Sequence, residues 1–167
     1  MSGLEFLSPG LARPESGFEP IWRSPLEHAL RDAPPHIRDL SKLGKLDVRG
    51  KIDGVEPADG VELIRITPDR ALLLCDPAEV AGHEERLRSA VRSVVDVTGA
   101  LAALQLAGAQ LLRRLTDLDL DALPAVGAVA HVPATLLRDA DEFRLFFPQE
   151  FAVHVAEVVL DAAAGLR

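Results

Sequence analysis

The fold turns on two stretches, DLSKLGKLDVRG (Asp39–Gly50) and DVTGALAALQLAG (Asp96–Gly108). Each opens on Asp, an aliphatic residue and a hydroxyl, Asp39-Leu40-Ser41 in one and Asp96-Val97-Thr98 in the other. Each then enters an apolar strand and stops on Gly50 or Gly108, and the Asp-to-Gly spacing differs by one residue. In the first stretch Leu46, Val48 and Ile52 alternate with Lys45, Asp47 and Lys51, the period of a half-buried strand.

The same order of elements follows each stretch. After the first, Val61–Ile66 and Ala71–Cys75 are apolar runs joined by Thr67-Pro68-Asp69-Arg70, where proline at the second position suits a type I turn, so a hairpin is expected. Asp76, Pro77 and Glu79 start a helix whose Val80, Glu84, Leu87 and Val91 share one face. After the second, Leu111, Leu112, Leu115 and Leu118 recur at helical steps, and a break falls at Pro124 and Gly127. Val129–Leu137 is strand-like with a bend at Pro133, and Phe143–Phe147 is its return strand. Pro148 opens a long helix to Ala164, which Gly165 stops. Glu62–Arg65 matches Thr135–Arg138, and Asp69–Cys75 matches Asp141–Phe147. The offset between halves thus grows from 57 to 72, about the length of the helical segment Gln110–Leu123. The expected fold is α+β: two duplicated β-hairpin/helix units about a pseudo-twofold, with an antiparallel-rich sheet covered by helices.

Residues 36–167 form this single domain, with halves of about 36–91 and 92–167. Residues 1–35 read as an N-terminal arm, because six of the twelve prolines lie there and prevent continuous helix or central strand. Ser24, Pro25 and Glu27 supply an N-cap, an N1 proline and a capping-box acid for one short helix ending before Pro34. The arm carries Phe6, Leu7, Leu11, Phe18, Ile21, Trp22 and Leu26, which a solvated linker has little use for. It lies either across its own domain or on a partner chain, and Phe6, Phe18, Ile21 and Trp22 are the candidate partner-binding residues.

Composition excludes several functions. Eighteen basic against 26 acidic side chains leave a net charge of -8, with no basic run to displace counterions from nucleic acid or an anionic membrane surface. One cysteine allows neither an internal disulfide nor a multi-cysteine zinc site. No basic-then-apolar leader opens the sequence and no apolar run nears the length of a membrane span, so a cytoplasmic location is expected.

Asp39–Gly50 resembles the signature of the folate-binding aminomethyltransferase family, the glycine-cleavage T-protein and its relatives, which usually carries His where this chain has Lys42. The second half is similar over Asp96-Val97-Thr98, the strand to Gly108, the leucine helix, Leu118-Asp119-Leu120 and the Pro124–Gly127 turn, so the resemblance covers residues 36 to 165. Size and layout look most like the family's small one-domain branch with an N-terminal extension, the gamma subunits of heterotetrameric sarcosine oxidases. The resemblance implies a folate-binding-domain-like fold and larger, flavin-bearing oxidase subunits as partners, with flavin and NAD held by those partners.

Departures from the family pattern point away from catalysis. The family follows its hairpin strand with Asn-Ala and an Asp seven residues after that Asn. Here the Asn positions are Asp76 and Pro148, and the Asp positions are His83 and Val155. The chain has no Asn and no Tyr, residue types suited to orienting and stacking a heterocycle. No catalytic residue and no bound cofactor are therefore expected; tetrahydrofolate is the one ligand left open. The expectation is an accessory subunit. The alternatives are a stand-alone tetrahydrofolate-binding one-carbon transfer domain and a homo-oligomeric interaction protein.

Other candidates have plainer readings. Cys75 ends an apolar strand and reads as a buried, inert thiol. His154 with Glu150 and Glu157 has the spacing of a metal trio but no fourth ligand, so a solvated helix face is expected and no metal. Asp117, Asp119 and Asp121 lack the Gly and Glu of a calcium loop and read as the exposed side of a helix end. His36, Asp39 and Ser41 are the residue types of a nucleophile triad crowded into six residues. Phe143, Phe146 and Phe147 alternate imperfectly, so one ring is expected to face outward.

Overall fold

Apolar side chains on both faces of a strand require a cover on both sides, and the run Leu72-Leu73-Leu74-Cys75 is buried throughout. The computed structural model, which describes residues 22–166, meets this demand with four layers. Phe6, Leu7, Leu11, Phe18 and Ile21 lie outside the described residues.

The first half contains β1 (Ile37–Asp39), β2 (Gly44–Arg49), β3 (Glu62–Thr67), β4 (Arg70–Cys75) and α1 (Val80–Arg88). The second contains β5 (Ser93–Asp96), β6 (Leu101–Ala107), α2 (Ala109–Leu115), β7 (Ala125–Val129), β8 (Val132–Asp139), β9 (Glu142–Pro148) and α3 (Ala152–Ala164). Among the described residues there are two antiparallel sheets, ordered β1-β6-β9-β8-β7 and β3-β4-β2-β5, where one sheet was expected. Each half sends its first strand into the other half's sheet: β1 pairs with β6, and β5 pairs with β2.

The sheets face one another through Ile64, Leu72 and Leu74 from one and Ala103, Leu137 and Phe146 from the other. α1 covers the outer face of the smaller sheet, setting Val80 and Leu87 on Leu46, Val48, Leu73 and Cys75. α2 and α3 cover the larger sheet, where Leu112, Val155 and Val159 share a core with Leu104, Leu145 and Phe147. This second cover explains why no phenylalanine of β9 faces outward: Phe143 and Phe147 point to the helices and Phe146 to the opposite sheet, all at most 2% exposed. The opposing sheet likewise overturns the half-buried reading of β2, because Lys45 and Asp47 face the inter-sheet layer and are buried with their neighbours.

Three local expectations change. The short helix after Ser24 is a run of turns over 25–32, since eight residues between Pro25 and the Pro34-Pro35 pair are too few to offset helix nucleation. Ser24 Oγ still accepts a hydrogen bond from Leu26 N at 3.1 Å, and Leu26 is fully buried in the core beneath α2 and α3. Gly127 breaks nothing: it lies within β7, where a Cβ would meet Leu118 Cδ2 at 2.6 Å. The reversal falls instead at Ala130 and His131, both at positive φ (50° and 64°), a turn with no Gly or Asn to announce it. α2 ends at Leu115, so Asp117, Asp119 and Asp121 occupy the connection after it rather than a helix face, with Asp119 Oδ1 accepting from Asp121 N at 3.0 Å.

The close approach of α1 to β2 depends on Gly44, where a Cβ would overlap Val80 Cγ2 and lie 2.9 Å from Cys75 Sγ. Gly44→Ala is expected to cost about 1–3 kcal/mol of stability in urea denaturation, the usual range for overpacking a core. Gly127→Ala, which meets only the movable end of Leu118, should cost less.

Candidate functional site

The chemistry-bearing side chains that the two stretches share meet where the chain crosses between sheets. Asp39 Oδ1 accepts from Ser41 N at 2.8 Å, and Asp96 Oδ1 accepts from Thr98 N at 2.8 Å, two Asx turns of the same form. Each turn aims a hydroxyl at the other half. Ser41 Oγ accepts from Ala103 N of β6 at 3.0 Å, and Thr98 Oγ1 accepts from Lys45 N of β2 at 2.9 Å. Beside them Leu40 N donates to Ala103 O and Val97 N to Lys45 O, both at 2.9 Å. The hydroxyls therefore extend the sheet hydrogen bonding of the partner half across the crossing.

The two sides differ most in chemistry at one position: Lys45 stands where the second half has Ala103. Lys45 is fully buried, and its Nζ donates to the carbonyls of Ser41 (2.8 Å) and Leu43 (2.7 Å). Burial lowers its pKa from 10.5 to about 8, with Asp39 and Asp96 opposing the shift. A neutral amine still has two protons for the two carbonyls, so the clamp survives loss of charge. Along the same strand Asp47 takes Arg49 at 2.9 Å and Arg70 at 2.8 Å. Across the two sheets, the Arg144 fork of β9 grips Glu62 of β3 with two 2.6 Å contacts.

The remaining candidates are dispersed. Ser41 Oγ is engaged by Ala103 N, Asp39 by Ser41 N, and exposed His36 stands before β1, so these three form no nucleophile relay. Cys75 is buried and burial pushes its thiol up, which disfavours the reactive thiolate. His154 Nε2 lies 3.1 Å from Ala130 O, and no group of three His, Cys, Asp or Glu among the described residues is placed to hold a metal. At the family's acid positions, His83 is half-buried on α1 with its Nε2 3.5 Å from Glu79 Oε2 and no hydrogen bond to it, and Val155 is core. Trp22 is 48% exposed. An apolar cleft of about 330 Å³ between His36, Gly108, Leu111 and Ala163 shares no residue with the crossing. Sequence reading missed the burial of Lys45, although its alignment with Ala103 between two matched Asp-x-hydroxyl turns was the available signal.

No family model and no curated protein matches the sequence. Solved structures do match. A chain of the heterotetrameric sarcosine oxidase from Corynebacterium sp. U-96, in complex with pyrrole 2-carboxylate, superposes with a TM-score of 0.71 and 20% identity over 86% of this chain and 95% of that one. A chain of the aspartokinase alpha and beta subunit structure follows at a TM-score of 0.50 and 11% identity, over 79% of this chain and 99% of that one. The chain has a sarcosine oxidase subunit-like fold. No described helix is long and apolar enough to cross a membrane.

The lowered Lys45 pKa has a defined sign in stability. Between about pH 8 and 10.5 the unfolded chain keeps a proton that the folded chain has lost, so stability rises with pH across that window; below it the cost of a buried charge is borne in full. Lys45→Met should abolish this rise in denaturation curves taken from pH 7 to 10.5. A wild-type slope equal to that of the variant would remove the assignment.

Proposed function

We propose that the chain is an accessory, noncatalytic subunit resembling the gamma subunit of a heterotetrameric sarcosine oxidase, an assembly for oxidative demethylation of sarcosine or a similar N-methyl amino acid linked to tetrahydrofolate. The observation that carries this reading is the superposition on a chain of such an oxidase that is itself small enough to be 95% covered. Larger cytoplasmic partner subunits hold the flavin and NAD. The family resemblance of Asp39–Gly50 supports the same placement, and the residues that carry it have structural employment: the Asp, Ser, Thr and Lys groups are spent on joining the halves.

The same matched turns support descent of the halves from one duplicated unit. Ser41 and Thr98 stand 57 residues apart, while Lys45 and Ala103 stand 58 apart, as do Gly50 (φ +123°) and Gly108 (φ +95°). The one-residue difference therefore lies in the crossing loop between Ser41 and Lys45. The second half adds α2 and β7, which the first half lacks.

The arm is the proposed partner-binding element through Phe6, Phe18, Ile21 and Trp22. Leu26 belongs to the core, so the informative truncation removes residues 1–21 and spares it. Co-expressed with the larger oxidase subunits, the full chain should elute with them in size-exclusion chromatography. The truncated chain should fold yet elute apart. A full-length chain that stays separate overturns the subunit reading, and saturable heat on calorimetric titration with tetrahydrofolate would favour a folate-binding domain instead.

A further inference from the structure

β5 ends the smaller sheet: β2 pairs with one of its sides and no described strand with the other. Which main-chain groups face outward follows from the register. Val97 N donates to Lys45 O at 2.9 Å, and residues of an antiparallel strand turn alternately toward and away from their neighbour. Ser93 and Val95, opposite Arg49 and Asp47, therefore turn to β2, while Val94 and Asp96 direct N–H and C=O outward. Gly50 N, donating to Asp69 O at 2.8 Å on the β4 side, obeys the same alternation in β2. Among the described residues no hydrogen bond takes the outward groups of Val94 or Asp96. The β7 edge differs, since there Thr116 Oγ1 donates to Ala128 O at 2.7 Å and Ala130 N to Leu115 O at 2.8 Å.

The β5 edge is complementary to itself. Arg92, Val94 and Asp96 run along it as cation, apolar residue and anion, and both charged residues are exposed. Gly50 keeps Arg92 in line with the strand: a Cβ there would lie 2.7 Å from Arg92 N and 2.8 Å from Arg92 Cβ. Arg92 holds no carboxylate among the described residues. Asp96 lends Oδ1 to Thr98 N, which leaves Oδ2. Two such edges run antiparallel about a twofold axis at Val94 set Arg92 of each copy against Asp96 of the other. Ser93 then opposes Val95, and the two Val95 side chains, each 50% exposed in the single chain, become diagonal neighbours. An axis at Arg92 or Asp96 would oppose like charges, and one at Val95 would set Asp96 against Val94. Charge thus selects one register and one partner.

We propose that the β5 edge receives a second copy of this chain, paired antiparallel about Val94, so that two four-stranded sheets continue into one and an Arg92–Asp96 ion pair closes each end. The inference goes beyond the accessory-subunit reading and does not rest on it. Main-chain pairing supplies the affinity in such strand addition. The exposed ion pairs, worth about 0–1 kcal/mol each, fix register. The net charge of -8 on each copy opposes approach at long range, and salt at physiological strength screens that repulsion beyond about 8 Å.

The test uses the isolated full chain. Sedimentation velocity over a concentration series should show a monomer–dimer equilibrium. Arg92→Glu, which the twofold axis makes count twice, should weaken the dimer about tenfold, a loss of 1.4 kcal/mol. Asp96→Asn keeps an acceptor for Thr98 N and should weaken it in the same direction. Val126→Lys, at a valine 53% exposed on the β7 edge, is the control and should dimerise as wild type. An equal mixture of Ser93→Cys and Val95→Cys chains should form a disulfide between copies, because opposed residues of a non-hydrogen-bonded pair lie about 4.5 Å apart at Cα. A chain that stays monomeric, a dimer that ignores Arg92→Glu, or a mixture that does not cross-link overturns the proposal. Each of these results leaves the accessory-subunit reading standing, since that reading fails only in the co-expression experiment.

Discussion

Everything in this fold hangs on two hydroxyls crossing between the halves. Ser41 and Thr98 each cap a tight Asx turn in their own half and accept a main-chain proton from a central strand of the other. At the crossing, β2 and β6 would otherwise lack partners for the amides of Lys45 and Ala103, which lie in the dry layer between two sheets. An unsatisfied buried amide costs about 1–3 kcal/mol, so the hydroxyls remove a penalty that no apolar residue could remove. A serine or threonine also fits without opening the inter-sheet gap. The exchange of first strands follows directly: β1 and β5 can lie in the opposite sheets only if the chain turns sharply after Asp39 and Asp96, which the aspartate carboxylates make it do.

The halves then diverge in what each side of the crossing must support. The larger sheet carries two helices, three buried phenylalanines and an extra strand, so its interior is apolar and Ala103 suffices at the centre. The smaller sheet carries one short helix and places Lys45 and Asp47 on its inner face. There the polar groups are answered within the same half: Lys45 by the Ser41 and Leu43 carbonyls, Asp47 by Arg49 and Arg70. Lys45 thus stiffens the crossing loop of the half that has less apolar surface to hold it.

Much of this architecture was legible in the residues, for physical reasons. Pro68 in a hairpin and Pro77 or Pro148 at a helix start act locally, so their consequences follow from a few neighbours; the Asp-x-hydroxyl triplets announced matching halves but not the Asx turns they form. The number of layers did not follow locally. An alternating strand such as Leu46-Asp47-Val48 announces one wet face, and only the opposing sheet makes that face dry. β7 was obscured for a related reason: Gly127 reads as a breaker until Leu118, nine residues earlier, is seen to occupy the space of its Cβ. The Ala130–His131 reversal lacks the Asn or Gly that positive φ favours, and it is held from outside by Leu115 O accepting from Ala130 N at 2.8 Å.

The same asymmetry bears on function. A site for a small heterocycle needs polar groups free to turn toward it, and at the crossing those groups are engaged in main-chain bonding on both sides. Turning Ser41 or Thr98 toward a ligand would leave the Ala103 or Lys45 amide unpaired in a dry layer and loosen the exchange itself. What the second half has and the first lacks lies elsewhere: α2 and β7 stand on the outer margin of the larger sheet, joined there by Thr116 Oγ1 donating to Ala128 O at 2.7 Å and Ala130 N donating to Leu115 O at 2.8 Å. The centre therefore holds shape through main-chain bonding, while the parts in which the halves differ lie at its margin.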